Sequence, residues 1–534
     1  MKNREFLKNL ITLGDELRAN IEANCTGWDD DPKAIEARVK KVKDADTGFD
    51  YFVENYFPHY IRNPAKSNLH KYLFKRLAEI LKTPDSQLDA IAAPRGEAKS
   101  TIVSQLYTLY RIVTEQTHYS LIVMDSIDQA YPMLEAIKAE LEANPRLRID
   151  FPKVFGAGRV WQAGTIVTAN NIKVQVAGAG KKLRGLRHGA YRPDMVILDD
   201  IENDDNVRKP EQRDKLHNWL KKTIMPLGAA GEKLDIIYIG TILHYDSVLN
   251  RTLDNGAWRS ARFQAVIKMP DNMQIWDEWE ALFKAKRLDD ADAFYIKNKR
   301  KMDKGAIVSW AARPILALMK IRARDGHDTF ACEYQNDPSA GEDAPFNNAV
   351  HYWHTLPAGL IYFGAVDPSL GKAGASRDPS AIVIGGYDRL NGKVYIVKAD
   401  IKKRLPDKII SDVIKYQREF NCLVWAVESV QFQEFLRTEL VKRSAQQGIH
   451  VPANPVNPHS DKLLRIEALQ PHMSNKLLLL HTEQATLIRQ FEHFPKADHD
   501  DGPDAVEMVW KLATGFAQST QAQPLDVPQP SLYY

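Results

Sequence analysis

A short lysine-bearing loop between a strand-like run and a helix-like run narrows the fold of this chain more than any other feature. Residues 93–101 read APRGEAKST, with DAIAAP leading in as a strand and TIVSQLYTLYRIV following with helical apolar spacing. A P-loop needs backbone N–H groups turned into one nest, a lysine for the β and γ phosphates of a nucleotide and a hydroxyl for Mg²⁺. Lys99, Ser100 and Thr101 offer the lysine and the hydroxyls, and Arg95, Gly96, Glu97 and Ala98 make up the turn before them. Ala93 and Ala98 stand where the GxxxxGK[ST] pattern asks for glycine, so the loop by itself is a weak match. A basic turn without a ligand is the competing reading. The helix that follows would add its N-terminal dipole to phosphate binding.

A second motif strengthens the first. In MVILDDIEND an apolar run ends in Asp199 and Asp200, and a carboxylate at the C-terminal end of a parallel strand faces the crevice where such sheets bind ligands. Asp199 is expected to hold Mg²⁺ through water and Asp200 to orient the attacking water, with Glu202 as a competing base. Arg95 lies close enough in sequence to act on the γ-phosphate. The run LDIIYIGT ends in Gly240 and Thr241, a strand end suited to sensing that phosphate. Between the two runs, KKLRGLRHG carries Lys181, Lys182, Arg184 and Arg187 around two glycines. It reads either as a solvated charge run or as a mobile loop that neutralises phosphate or touches a DNA backbone.

The second half of the chain changes pattern. LIYFGAVD, SAIVIGGYD and KVYIVKADI read as a three-strand meander, the last two joined by the Asn391-Gly392 hairpin signal. A helix over about 407–420, the buried strand CLVWAVES and a helix over about 432–447 follow, then KLLLLH and a last helix expected to begin near Asp504. Asp367 ends the first strand, Glu428 the fourth, and Asp504 opens the last helix, with His499, Asp500 and Asp501 beside it. A ribonuclease H-like fold brings these three places together. Two-metal phosphodiester hydrolysis needs several carboxylates converging on ions about 4 Å apart, and oxygen ligands favour Mg²⁺ or Mn²⁺. Asp504 is the first choice of ligand on the helix and Asp501 the second, and Asp378 is a candidate fourth ligand. Taken singly, each Asp is a turn or cap residue.

APRGEAKST, KKLRGLRHGAYRPDMVILDDIEND, IIYIGT and FACEYQNDP together resemble the large terminase subunit of tailed bacteriophages, and the resemblance runs over roughly residues 60–515. It implies an α/β chain: a P-loop NTPase of ASCE type on a parallel sheet, followed by a ribonuclease H-like nuclease domain. It further implies ATP hydrolysis coupled to translocation of double-stranded DNA into a prohead, and endonucleolytic cutting of concatemers. ATP with Mg²⁺ would serve the first site and Mg²⁺ or Mn²⁺ the second. The implied partners are double-stranded DNA, a portal protein and a small terminase subunit, with a homo-oligomeric ring on the prohead and a monomer in solution. In that family the P-loop departs from the glycine consensus and carries an arginine. The Asp-Asp pair departs from the family's Asp-Glu and leaves the choice between Asp200 and Glu202 open.

Composition sets wider bounds. The chain of 534 residues is long enough for more than one core, giving expected segments of 1–50 (helical), 51–340 (ATPase), 341–355 (linker), 356–516 (nuclease) and 517–534 (tail). A net charge of +3 permits nucleic-acid binding without indicating it, because local clustering decides. The three cysteines form no CxxC pair, which argues against a disulfide framework or a zinc site and for a reducing setting such as the host cytoplasm. No signal-peptide pattern or membrane-spanning apolar run is evident. Two other classes compete: a nucleic-acid-dependent ATPase or helicase with a non-cleaving second domain, and an integrase-like strand-transfer enzyme.

Overall fold

The computed structural model describes residues 2–61, 63–338, 345–346, 348–368, 379–428, 433–456, 461–495, 497 and 499–521. It divides into two compact units, 1–338 and 339–534, each with cores of its own. Among the described residues no helix is long and apolar enough to cross a membrane.

The first unit is built on eight strands: β1 (Leu88–Ala92), β2 (Tyr119–Met124), β3 (Val160–Trp161), β4 (Thr165–Val167), β5 (Lys173–Gly178), β6 (Met195–Asp199), β7 (Asp235–Gly240) and β8 (Arg259–Arg262). They lie in the order β3-β4-β5-β2-β6-β7-β1-β8, parallel throughout except for the antiparallel pairs at the β3 and β4 edge. Central strands β6 and β7 are buried along their whole length, because helices cover both faces of such a sheet and a continuous apolar run such as MVIL is what both faces demand. One strand, β7, separates the P-loop strand β1 from the acid-bearing strand β6, which is the ASCE arrangement. A small hairpin of β9 (Val266–Lys268) and β10 (Ile307–Val308) and the helices Ile315–Asp325 and His327–Gln335 complete the unit. The expected N-terminal helical segment is part of this unit: Ile21 of helix Lys2–Asn24 and Cys25 just after it pack on Ala139 and Ala143 of helix Ile127–Ala143.

The second unit has β11 (Ile361–Asp367), β12 (Ser380–Asp388), β13 (Lys393–Lys402), β14 (Val424–Glu428), β15 (Ala453–Val456) and β16 (Leu478–Leu479). Their order is β15-β14-β11-β12-β13-β16, with the β11-β12-β13 meander antiparallel and β14 and β15 added in parallel, as in a ribonuclease H-like sheet. The Asn391-Gly392 turn forms as its sequence suggests: Asp388 accepts from the Leu390 N–H, and its carbonyl from the Gly392 N–H at 2.9 Å. Two expectations need correcting. The last helix begins at Asp501 rather than near Asp504. Part of the stretch read as linker is core, since Phe346 packs against Phe491 and Phe494.

Candidate nucleotide and metal sites

The loop after β1 is pinned from several sides. The Ala93 N–H donates to the Gly240 carbonyl at 2.8 Å, which carries the sheet ladder one residue beyond the strand. Gly96 takes φ +74° and Ala98 φ +54°, so the chain doubles back before the helix, which opens with a π-helical turn, Thr101–Leu106, and continues as Tyr107–Val113. His70, whose ring closes a capping box with Ser67 at the start of helix Asn68–Lys82, reaches the Glu97 carbonyl at 3.0 Å. Glu97 itself is buried with neither carboxylate oxygen hydrogen-bonded, and burial raises its pKa.

Behind the loop the predicted residues meet. Lys99 Nζ lies 2.8 Å from Asp200 Oδ2 and 3.3 Å from Thr241 Oγ1. The Ser100 hydroxyl donates to Asp199 Oδ1 at 3.0 Å, and Ser104, one turn along the helix, to Oδ2 at 2.6 Å. Burial, with Asp200 next to it, pushes the Asp199 pKa up to about 6. Asp200 stands at φ +45°, and its Oδ1 accepts the Thr241 N–H at 3.1 Å. The residue after β7, Thr241, therefore touches both the lysine and the second carboxylate. A cavity of about 780 Å³ opens beside the loop, lined among others by Tyr60, Asn63, Phe74, Thr101 and Trp310. Hydroxyl, lysine and two carboxylates in this arrangement suit a magnesium-bound nucleotide phosphate, and the cavity is of nucleoside size.

Two of the expected residues point away from this group. Glu202 does not face this group. It is buried, accepting from the Val248 and Leu249 N–H groups at 2.7 and 2.9 Å and from the Tyr238 hydroxyl at 2.9 Å. It caps the helix Val248–Leu253 from below, and burial raises its pKa despite those donors. Arg95, read as a γ-phosphate ligand, points to Glu333 Oε1 at 2.9 Å and remains largely exposed. Sequence reasoning missed this clamp. Arg313 adds to it by donating to the Arg95 and Gly96 carbonyls at 2.7 and 3.1 Å. The one available signal was FACEYQNDP, whose Glu333 is the partner and whose Asn336 bonds both the Ile242 N–H and the Phe263 carbonyl. In the basic loop, Arg184 donates to the Lys222 carbonyl at 3.2 Å beside a cavity of about 570 Å³.

In the second unit Asp367 ends β11, and the parallel pairing of Val366 with Val427 puts Glu428 at the same end of the neighbouring strand. The Glu428 side chain and all of Asp378 lie outside the described residues. The last helix comes close to the sheet because Gly502 has no side chain, where a Cβ would run into Ile401 and Gln490. Its first turn carries Asp501 and Asp504 three residues apart and so on one face. Asp504 is buried, 3.0 Å from Arg465 Nη1. Asp501 Oδ2 is buried without a hydrogen-bond partner. Burial, then the charge of Asp367, pushes the Asp501 pKa up to about 7, and burial takes Asp504 to about 6. Lys462 reaches Asp367, Asp500 and Asp504; burial pulls its pKa down, but these carboxylates more than offset that and the ammonium stays charged. Among the described residues no three His, Cys, Asp or Glu side chains already form a metal-holding group. The donor set is nevertheless all oxygen, and the bare Asp501 oxygen lacks a partner, so a hard divalent cation fits it.

No protein-family model and no curated protein matches the chain. Solved structures do. The large terminase of bacteriophage HK97 is similar over 87% of this chain and 99% of its own, at 13% identity and a TM-score of 0.39. The large terminase of a thermophilic bacteriophage in complex with ADP is similar over 84% and 98%, at 12% identity and a TM-score of 0.28. The human cytomegalovirus terminase nuclease domain, Mn-soaked and inhibitor-bound, covers 34% of this chain and 96% of its own, at 14% identity and a TM-score of 0.26. All of these are terminases. The strand orders of the two units stand on this chain's own pairing.

Proposed function

We propose that this chain is a DNA-packaging motor subunit that hydrolyses ATP in its first unit and cuts double-stranded DNA in its second. The observation that supports the reading is that one chain brings Lys99, Ser100 and Asp199 together behind a strand-to-helix loop, and Asp367 at a strand end of a ribonuclease H-like sheet with Asp501 and Asp504 on the helix packed against it.

In the first unit Lys99 would neutralise the β and γ phosphates, and Ser100 and Asp199 would hold the magnesium ion. The cavity beside Tyr60 and Trp310 would take the base. Asp200 would accept a proton from, and orient, the attacking water, a reading supported by its contact with Lys99 and by the enclosure of Glu202 among backbone donors. Thr241 would register the loss of the γ-phosphate through its two contacts. In the second unit Asp367, Glu428, Asp501 and Asp504 would hold Mg²⁺ or Mn²⁺. Bound divalent ions would supply water activation and stabilisation of the leaving oxygen. The expected partners are double-stranded DNA, a portal protein and a small terminase subunit, with a ring of this chain at the prohead in a bacterial cytoplasm.

The test is a double dissociation. Lys99→Ala should abolish ATP hydrolysis and leave Mn²⁺-dependent plasmid cleavage measurable, while Asp367→Asn should do the reverse. Intact plasmid with wild-type protein and Mn²⁺ would leave the helicase-like alternative as the better reading.

A further inference from the structure

Lys462 sits among three carboxylates of the second unit. Its Nζ is 2.8 Å from Asp500 Oδ1, 3.4 Å from Asp367 Oδ2 and 3.6 Å from Asp504 Oδ2. These acids come from different elements: Asp367 from the end of β11, Asp500 and Asp504 from the start of the last helix and the residue before it. Arg465 lies one turn along the same short helix, Lys462–Glu467, and serves Asp504 at 3.0 Å and Glu507 at 3.6 Å, both on the last helix. Lys462 joins that helix to β11.

The two cations differ in their freedom to leave. The Arg465 side chain is only 6% exposed, and its planar fork is shared between two carboxylates. The Lys462 side chain is 35% exposed, a compact, readily hydrated charge on a flexible stem. A divalent ion bound to Asp367 and Asp504 would need the same carboxylate oxygens at roughly 2.0–2.6 Å, closer than an ammonium approaches. A divalent ion there would repel the ammonium at short range, so each weakens the other's hold on these oxygens.

We propose that Lys462 is the resident counter-cation of the nuclease acids. It holds Asp367, Asp500 and Asp504 together while no metal is bound and competes with divalent ions for them, so that metal loading requires its withdrawal. The inference rests on reading this site as a metal-dependent nuclease. It predicts that the site is assembled before the metal arrives and that its metal affinity is set below what the carboxylates alone would give.

Mn²⁺ titrated into the full chain, with free ion followed by electron paramagnetic resonance, tests this. The binding that disappears in Asp367→Asn defines the nuclease site. Lys462→Met and Lys462→Gln should each tighten that binding on the order of 10-fold, and Lys462→Arg, which keeps the charge, should bind as wild type does. Without metal, the two neutral variants should unfold at lower denaturant concentration than wild type, and Mn²⁺ should restore them. Unchanged or weaker Mn²⁺ binding in whichever neutral variant folds overturns the role of Lys462. Absence of any Asp367-dependent Mn²⁺ binding, in wild type and variants alike, instead overturns the nuclease reading.

Discussion

Asp200 and Glu202 are two residues apart and have opposite surroundings. Asp200 faces Lys99 and the Thr241 N–H, whereas Glu202 is enclosed by backbone donors and the Tyr238 hydroxyl. Removing Glu202 would strand those buried donors, so Glu202→Ala should cost about 3 kcal/mol in denaturant unfolding. Asp200→Asn, which keeps an oxygen acceptor for the Thr241 N–H beside Lys99, should cost less stability than Glu202→Ala and lower the ATP turnover number by at least about 100-fold. Equal losses of turnover with equal stability would return Glu202 to the chemistry. The sequence placed both acids after one strand but could not separate them, since which one turns toward the loop depends on the positive φ of Asp200 and on a distant helix start at Val248. A second residue-scale prediction concerns pH. Asp501 and Asp504 have pKa values raised to about 7 and about 6, so the folded protein binds protons that the unfolded chain releases. Without metal their contribution to stability is full below about pH 4 and is lost as pH rises through 6 to 7. Asp501 faces Asp367, Lys462 and Asp500, of which only Lys462 opposes this trend. Asp501→Asn should flatten the slope of unfolding midpoint against pH over that range, and an unchanged slope would locate the linkage elsewhere.

Among the elements, the P-loop combines what the sequence announced with what it hid. The lysine, hydroxyl and following helix were legible from residue type and spacing, as were the strands that bear Asp199, Thr241, Asp367 and Glu428, because each is an apolar run ending in a polar residue. The missing glycine at position 98 was legible only as an anomaly. The structure gives it physical content: Ala98 pays for the turn with φ +54°, a conformation costing an L-residue roughly 1–2 kcal/mol. Ala98→Gly should therefore raise stability by about 1 kcal/mol in denaturant unfolding while preserving ATP hydrolysis. Gly96 is different, since a Cβ there would collide with the Arg313 guanidinium. Gly96→Ala should weaken the clamp that Arg313 and Glu333 place on the loop. That clamp was not legible because Arg95 and Glu333 lie far apart in the chain, and FACEYQNDP marks a motif without saying what it meets. Short or edge strands, β3, β4 and β8 among them, were likewise missed, having too few residues for any period to appear.

At the scale of the whole molecule, each unit keeps its own core. Phe346, Phe363, Val383 and Phe491 belong to one cluster of the second unit, and the clusters around β1, β6 and β7 belong to the first. A fragment of residues 345–521 should thus fold alone, with a cooperative unfolding transition by circular dichroism, whereas one starting at 355 would lack Phe346 and unfold at lower denaturant concentration. Equal stability of the two fragments would remove Phe346 from the core. The placement of the acids also has a consequence for a chain being made. Asp501 and Asp504 belong to helix Asp501–Gln521, so every strand of the first unit's sheet and the Asp367 strand leave the ribosome before these two carboxylates can join Asp367. A chain interrupted before that helix can fold the first unit with Lys99, Ser100 and Asp199 in place, yet it lacks Asp501 and Asp504.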